Sequence, residues 1–260
     1  MLVGDLRIDP VADGMVRVVP SDAYAGTDDE AWVPHREFLA DDGMLEMELG
    51  GFLVRGAGRT VLVDCGLGPI VRGDMHGGRL PESLAALGVH PDDITDLVFT
   101  HLHFDHVGWA TQKGEIVFPG AVPRCDRRDW EHFVTGPDGG AARKLGPLGD
   151  RVEFWEPGGP LLPGIDVLHA PGHTPGSTIV VVSSGTERAL LLGDVVHCPV
   201  ELVDEEWAGI GDVDPALAQR TRAALIREIE GSDVPVAAAH FPGLRFGRLL
   251  GGEGRRRWVL

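Results

Sequence analysis

Hydrophobic residues recur along this chain in short runs, and several of those runs end on a polar side chain. Residues 15–19 alternate weakly and predict a strand, and the polar stretch 21–30 predicts a loop. Trp32 and Phe38 are large apolar residues in an otherwise polar region, placed either on the core or over a pocket. Residues 44–49 alternate apolar and acidic positions, which predicts a half-buried strand. After Gly50-Gly51 a short strand follows at 52–55, then a hairpin turn at Gly56-Ala57-Gly58 and a return strand at 60–64. The glycine-rich residues 66–78 read as a loop. Pro81 and Gly88 bracket a helix at 80–87. The apolar run at 94–100 predicts a buried strand leading into THLHFDH.

The second half repeats the pattern. Short strands are expected at 115–118 and 121–123, and a helix at 126–135 with Trp130 and Phe133 on one face. Residues 136–149, rich in glycine and proline, read as a flexible insertion or lid. Strands follow at 152–155, 165–169, 177–183 and 188–194. The longest helix spans 214–231, with Asp214 as N-cap, Pro215 at the first position, and Leu217, Thr221, Leu225 and Ile229 as its apolar stripe. A last buried strand at 234–239 ends at His240.

Length and composition narrow the class. The 260 residues are 43% hydrophobic and are expected to form one domain spanning 1–260. No run of about 18 apolar residues marks a membrane span, and the first residues lack the basic start of a secretory signal. A cytoplasmic protein is expected. Acidic residues outnumber basic ones 40 to 23, a net charge of −17, which disfavours nucleic acid as a partner. Cys65, Cys125 and Cys198 show no paired spacing and read as reduced, buried thiols.

Candidate chemistry gathers where the strands end. His101, His103, Asp105 and His106 place four potential ligands in six positions, and further strands end near His173, at Asp194 and at His240. Imidazole and carboxylate suit zinc and its neighbours. Five histidines and two aspartates suffice for two ions sharing a bridging carboxylate. His101 and His103, two apart, face the same side of an extended segment, and Asp105 and His106 come after the turn, within reach of a second ion. Asp64, at the end of its strand, either caps the next turn or orients a ligand histidine.

These motifs carry a family resemblance. THLHFDH at 100–106, PGHTPGS at 171–177, LLLGD at 190–194 and AHFPG at 239–243, with VLVDCG at 61–66, resemble the metallo-β-lactamase superfamily in its own order. The resemblance covers about residues 45–245. It implies an αββα four-layer sandwich of the α/β class with metals at one edge. It also implies that His101, His103 and His173 hold one ion, that Asp105, His106 and His240 hold the other, and that Asp194 bridges. Two divalent ions are expected, zinc foremost, with manganese, cobalt or iron compatible. The implied reaction is hydrolysis by metal-activated water, with Asp105 also orienting that water or passing a proton to the leaving group.

The substrate class follows less directly. GDVVH at 193–197, Gln219-Arg220-Thr221-Arg222 and AHFPGLRFGRL at 239–249 are similar to the branch of quorum-quenching lactonases and methyl-parathion-type hydrolases, which implies a small ester, lactone or phosphotriester. One departure is the absence of a tyrosine shortly after the bridging aspartate. Tyr24 is the single tyrosine of the chain, and His197 stands nearby instead as a substrate-contact candidate. Phe104 and Trp109 flank the metal loop, and Trp207 and Ile210 precede the long helix, as candidate pocket walls. A glyoxalase II-like thioester hydrolase lacks an evident basic patch for glutathione. A mononuclear-iron persulfide dioxygenase would need only His101, His173 and Asp194, leaving the other ligands unexplained. A silent binding protein would leave all seven unexplained. The expected partner is a small-molecule substrate, with neither nucleic acid nor membrane, and a homodimer is the candidate assembly.

Overall fold

Along each strand, alternate side chains face opposite sides, and this alternation stacks the fold in layers. In the strand Leu45–Gly56, Phe52 and Val54 face one way and Leu53 the other; Val61 and Val63 oppose Leu62 in Arg59–Val63. In the computed structural model of the protein, described apart from residues 25, 137–138, 156–159, 205, 210 and 253, two sheets share such an interface. The first runs in the order Glu153–Phe154, Val122–Cys125, Asp96–Val98, Arg59–Val63, Leu45–Gly56, Leu6–Val18, Met75–His76 and Val71–Arg72. The second runs Ile165–His169, Thr178–Ser184, Glu187–Leu191 and Val236–Ala237. Phe52, Val54, Val63 and Val98 of the first sheet meet Val180, Val182, Leu191 and Ala237 of the second.

Helices cover the outer faces. Leu80 and Leu84 of Leu80–Ala86, and Phe133 of Arg127–Phe133, pack against Leu53, Leu62 and Leu97. Leu225, Ile226 and Ile229 of Pro215–Ile229 pack on Leu190 and Val236. The layers are therefore α, β, β, α, a metallo-β-lactamase fold. Both later helices start as expected: Asp126 accepts from Arg128 N at 2.8 Å and Asp214 from Leu217 N at 2.9 Å. Among the described residues, no helix is long and apolar enough to cross a membrane.

Several elements differ from the sequence expectation. The strand expected to break at Gly50-Gly51 runs unbroken, because Gly51 has no side chain to obstruct its neighbour: a Cβ there would lie 2.2 Å from Val63 O. The first long strand spans Leu6–Val18, well before residue 15. The stripe of the long helix is rotated, with Ala218, Arg222, Leu225, Ile226 and Ile229 buried and Leu217 and Thr221 only half-buried. Residues 137–138 lie outside the described residues, but the rest of 136–149 does not form a lid. Ala141, Leu145 and Leu148 are buried against the first sheet. The hairpin of Arg248–Gly252 and Arg255–Val259 was not expected; Trp258 anchors it, 5.2 Å from the ring of Phe241.

One buried carboxylate fixes the floor beneath the metal loop. Asp13, within Leu6–Val18 and fully buried, accepts from the backbone N of Leu67 (2.8 Å), Gly68 (2.9 Å), Gly78 (3.0 Å) and Leu80 (2.9 Å). It also accepts from Trp109 Nε1 at 2.7 Å. The glycine-rich residues 66–78, expected as a loop, carry a short hairpin of Val71–Arg72 and Met75–His76 on the edge of the first sheet, and this one side chain ties both ends of it to Leu6–Val18. Asp13→Ala leaves these donors without their acceptor and should lower the unfolding free energy by about 3 kcal/mol or more. Urea denaturation followed by tryptophan fluorescence checks this, and an unchanged midpoint would contradict it.

Candidate metal centre

The topology brings separate loops to one edge. Parallel strands end on the same side of a sheet, where sites commonly form. Asp64 follows Arg59–Val63, and Thr100 to His106 follow its parallel neighbour Asp96–Val98. In the second sheet Asp194 follows Glu187–Leu191 and His240 follows the parallel strand Val236–Ala237. His173 sits in the loop joining Ile165–His169 to Thr178–Ser184. Gly193 (φ +53°) lets the Asp194 loop close on the first sheet: a Cβ there would lie 2.8 Å from Thr100 Cβ.

The candidate ligands form two adjoining groups: His101, His103, His173 and Asp194, and then Asp105, His106 and His240. His103 Nδ1 lies 3.1 Å from His101 Nε2 and 2.9 Å from His173 Nε2. Asp194 Oδ2 lies 3.6 Å from His101 Nε2 and 3.5 Å from His173 Nε2. The same oxygen is 3.1 Å from His240 Nε2, while Oδ1 is 3.2 Å from His106 Nε2. Asp105 Oδ2 stands 3.5 Å from His240 Nε2. Ligand atoms at 2.0–2.1 Å from a tetrahedral zinc stand about 3.3 Å apart, so the spacing suits ions between these atoms.

An independent observation tests the fit. His106 Nε2 and Asp194 Oδ1 are buried and make no hydrogen bond among the described residues. Buried polar atoms are seldom left so. A cation between them satisfies both, and imidazole and carboxylate are the donors that divalent transition metals accept.

The outward atoms of the histidines are tied down. His106 Nδ1 lies 2.9 Å from Asp64 Oδ2, His173 Nδ1 2.9 Å from Asp212 Oδ1, and His240 Nδ1 2.7 Å from Glu48 O. His101 Nδ1 lies 3.2 Å from Thr100 Oγ1, which itself donates to Asp64 Oδ2 at 2.7 Å. Each contact places the proton on Nδ1 and turns the Nε2 lone pair inward. His103 alone turns Nδ1 inward. Asp64, which also accepts from Thr100 N at 2.8 Å, holds a left-handed backbone (φ 58°), a strained conformation of the kind that collects at functional sites. Asp129 joins two loops, accepting from Leu102 N (3.0 Å), Thr174 Oγ1 (2.9 Å) and Gly176 N (2.6 Å). Burial pushes its carboxyl up to about 6.

Electrostatics differ between the groups. Burial holds His101 well below and His173 below the ordinary imidazole range, and His103 near 4. Burial thus favours the neutral form of these three, the form that ligates a metal. Burial acts the same way on His106 and His240, but the Asp194 charge outweighs it, joined by Asp64 at His106 and Asp105 at His240, and raises both. Burial opposes ionisation of Asp194, yet the surrounding histidines hold it well below the usual carboxylate range.

The candidate substrate contacts scatter. Phe104 projects from the metal loop, 55% exposed. His197 lies at the cluster, its ring stacked on His240 (5.9 Å between centroids, 8° between planes) and its Nε2 3.6 Å from Asp194 Oδ2. Trp109 is not brought to the cluster: its indole is bonded to Asp13 and packs with the first core. Trp207 sits behind the site in an aromatic group with Trp32 (4.7 Å), His35 (5.1 Å) and Tyr24 (5.6 Å). Ile210 lies outside the described residues. Trp32 and Phe38 are buried, packed with Ala23, Tyr24 and Leu45. All three cysteines are buried and unpaired. Sequence reasoning missed Asp129, Glu201, Asp212 and Arg222, most of whose partners are distant in the chain, His197 beside Glu201 excepted. The only local cue was a lone glutamate in the apolar run 198–203.

Asp64→Asn keeps the side chain's size but removes an acceptor from His106 and Thr100. Zinc affinity should fall about 10- to 100-fold, read by competition with a chromogenic chelator; affinity within twofold of the parent would contradict the role.

Comparison with known proteins agrees with this geometry. Residues 51–240 match the metallo-beta-lactamase superfamily. The chain is similar to human metallo-beta-lactamase domain-containing protein 1, 33% identical over 217 residues that cover 81% of this chain and 67% of the human protein. It is also similar to the N-acyl homoserine lactonase of Bacillus thuringiensis, 27% identical over 160 residues, 61% of this chain and 60% of that one. In fold it resembles AidC, a dizinc quorum-quenching lactonase, with a TM-score of 0.89 over 100% of this chain and 95% of that chain at 22% identity. The chain belongs to the metallo-beta-lactamase superfamily.

Proposed function

We propose that this protein is a dinuclear-metal hydrolase acting on a small ester, lactone or phosphotriester. The observation that carries the reading is the position of Asp194, whose carboxylate lies against both adjoining ligand groups, Oδ1 facing His106 and Oδ2 facing His240, His101 and His173. His101, His103 and His173 are assigned to one ion, Asp105, His106 and His240 to the other, and Asp194 to both. Two divalent ions there, zinc foremost, would polarise the substrate's carbonyl or phosphoryl oxygen and lower the pKa of water from 15.7 to about 7.

The chain's own residues divide the remaining work. The outward tethers of His101, His106, His173 and His240 hold their inward nitrogens in place, so little reorganisation is needed on binding. Asp105, whose side chain is partly accessible (14%), is assigned the proton transfer: its carboxylate takes a proton from the attacking water and returns it to the departing oxygen. Phe104 offers an apolar surface at the mouth for an acyl chain or aromatic leaving group. The net charge of −17 favours an uncharged small molecule over a polyanion. Similarity to a lactonase from Bacillus thuringiensis supports lactones as the first class to try.

A panel of lactones, aryl esters, phosphotriesters, a β-lactam and a glutathione thioester, offered to zinc- or manganese-loaded protein, tests the reading. Turnover is expected in the first three classes; activity confined to the last two would overturn the assignment. Asp105→Asn should lower kcat about 100-fold or more in protein whose metal content is verified. Full turnover with both metals retained would remove the proton-transfer role.

A further inference from the structure

Behind the ligand groups lies a set of buried charges that the metal assignment does not use. Glu201 and Arg222 are 0% and 1% exposed, and Glu201 Oε2 lies 3.0 Å from Arg222 Nε. Tyr24, also buried, donates its hydroxyl proton to Glu201 Oε1 at 2.6 Å. Arg222 is itself anchored, donating from Nε to Val195 O and from Nη1 to Trp207 O, both at 2.9 Å. A buried ion pair is a poor way to gain stability, so this arrangement calls for another account.

Glu201 also meets His197, which supplies one. Its Oε1 lies 3.3 Å from His197 Nδ1, and its Oε2 lies 3.3 Å from His197 N. The opposite end of the His197 ring faces Asp194, and the ring is wedged between His240 and His173 (4.9 Å from the latter). His197 belongs to neither ligand group. An imidazole gripped at one nitrogen by a fixed carboxylate presents the other in a set direction. We propose that Glu201, clamped by Tyr24 and Arg222, is a positioning residue that aims His197 at the polar part of the bound ester. This rests on the hydrolase reading for what His197 touches, but not for how it is held.

A carboxylate is required at 201. Its two oxygens meet the Tyr24 hydroxyl and the ring and backbone N–H of His197, with the Arg222 charge beside them. An amide has one acceptor oxygen and must turn its NH₂ toward at least one of them.

The test is a double-mutant cycle on zinc-loaded full-length protein, with a substrate that the parent turns over. Glu201→Gln should lower kcat/KM about 10- to 100-fold with zinc content unchanged. In a His197→Ala background the same substitution should cost nothing further, within twofold. An equal loss in both backgrounds means that Glu201 acts structurally and overturns the proposal. If Glu201→Gln does not fold, Tyr24→Phe keeps the ion pair and enters the same cycle, with the same two outcomes. A second readout needs no turnover: nitrogen NMR of the zinc-loaded parent should show His197 protonated at Nδ1, and Glu201→Gln should shift that signal. An unchanged signal overturns the proposal. If the parent hydrolyses nothing in the panel, the hydrolase reading fails by itself, and the NMR comparison still decides the Glu201 contact.

Discussion

Imidazoles crowd together in a protein interior only when each has somewhere to put its proton. Here the outward nitrogens of His106, His173 and His240 rest on Asp64, Asp212 and the carbonyl of Glu48, and that of His101 on the Thr100 hydroxyl. The inward nitrogens then turn to one another and to Asp194. His106 Nε2 and Asp194 Oδ1 face each other unsatisfied at 3.2 Å. A cation between those two atoms would satisfy both. The tethers therefore set the chemistry as firmly as the ligands do.

The sandwich exists, at this edge, to deliver those tethers. Asp64 and Thr100 come from adjacent parallel strands of the first sheet, Asp194 and His240 from adjacent parallel strands of the second. Sheet packing through Val63, Val98, Leu191 and Ala237 sets the distance between the two pairs. Buried carboxylates tie the intervening segments to this frame. Asp129 binds the His173 loop to the metal loop, and Asp13 holds the glycine-rich segment and Trp109. Glu201 extends the same device to His197.

How much of this could be read in the chain depends on the range of the interaction involved. The metal loop was legible because its ligands are close neighbours, and the strand ends because an apolar run stopping on His or Asp is a local pattern. Helix starts at Asp126 and Asp214 were legible for the same reason. The strand Leu6–Val18 was not, because Asp9 and Asp13 interrupt its apolar pattern. Their partners are tertiary, including Arg55 on Asp9 at 2.7 Å. Arg222 was legible only within a family motif, and its burial rests on partners far off in the chain: Val195 O, Trp207 O and Glu201, twenty-one positions earlier. Trp109 misled because its neighbours in sequence are metal-loop residues while its neighbours in space are core residues and Asp13.

The central claim is that two ions share Asp194. Zinc bound per chain, measured by titrating metal-free protein and determining its metal content after dialysis, tests this most directly. The account predicts two equivalents for the parent protein. A single equivalent at saturation, unchanged when His106 and His240 are replaced by alanine, would contradict it.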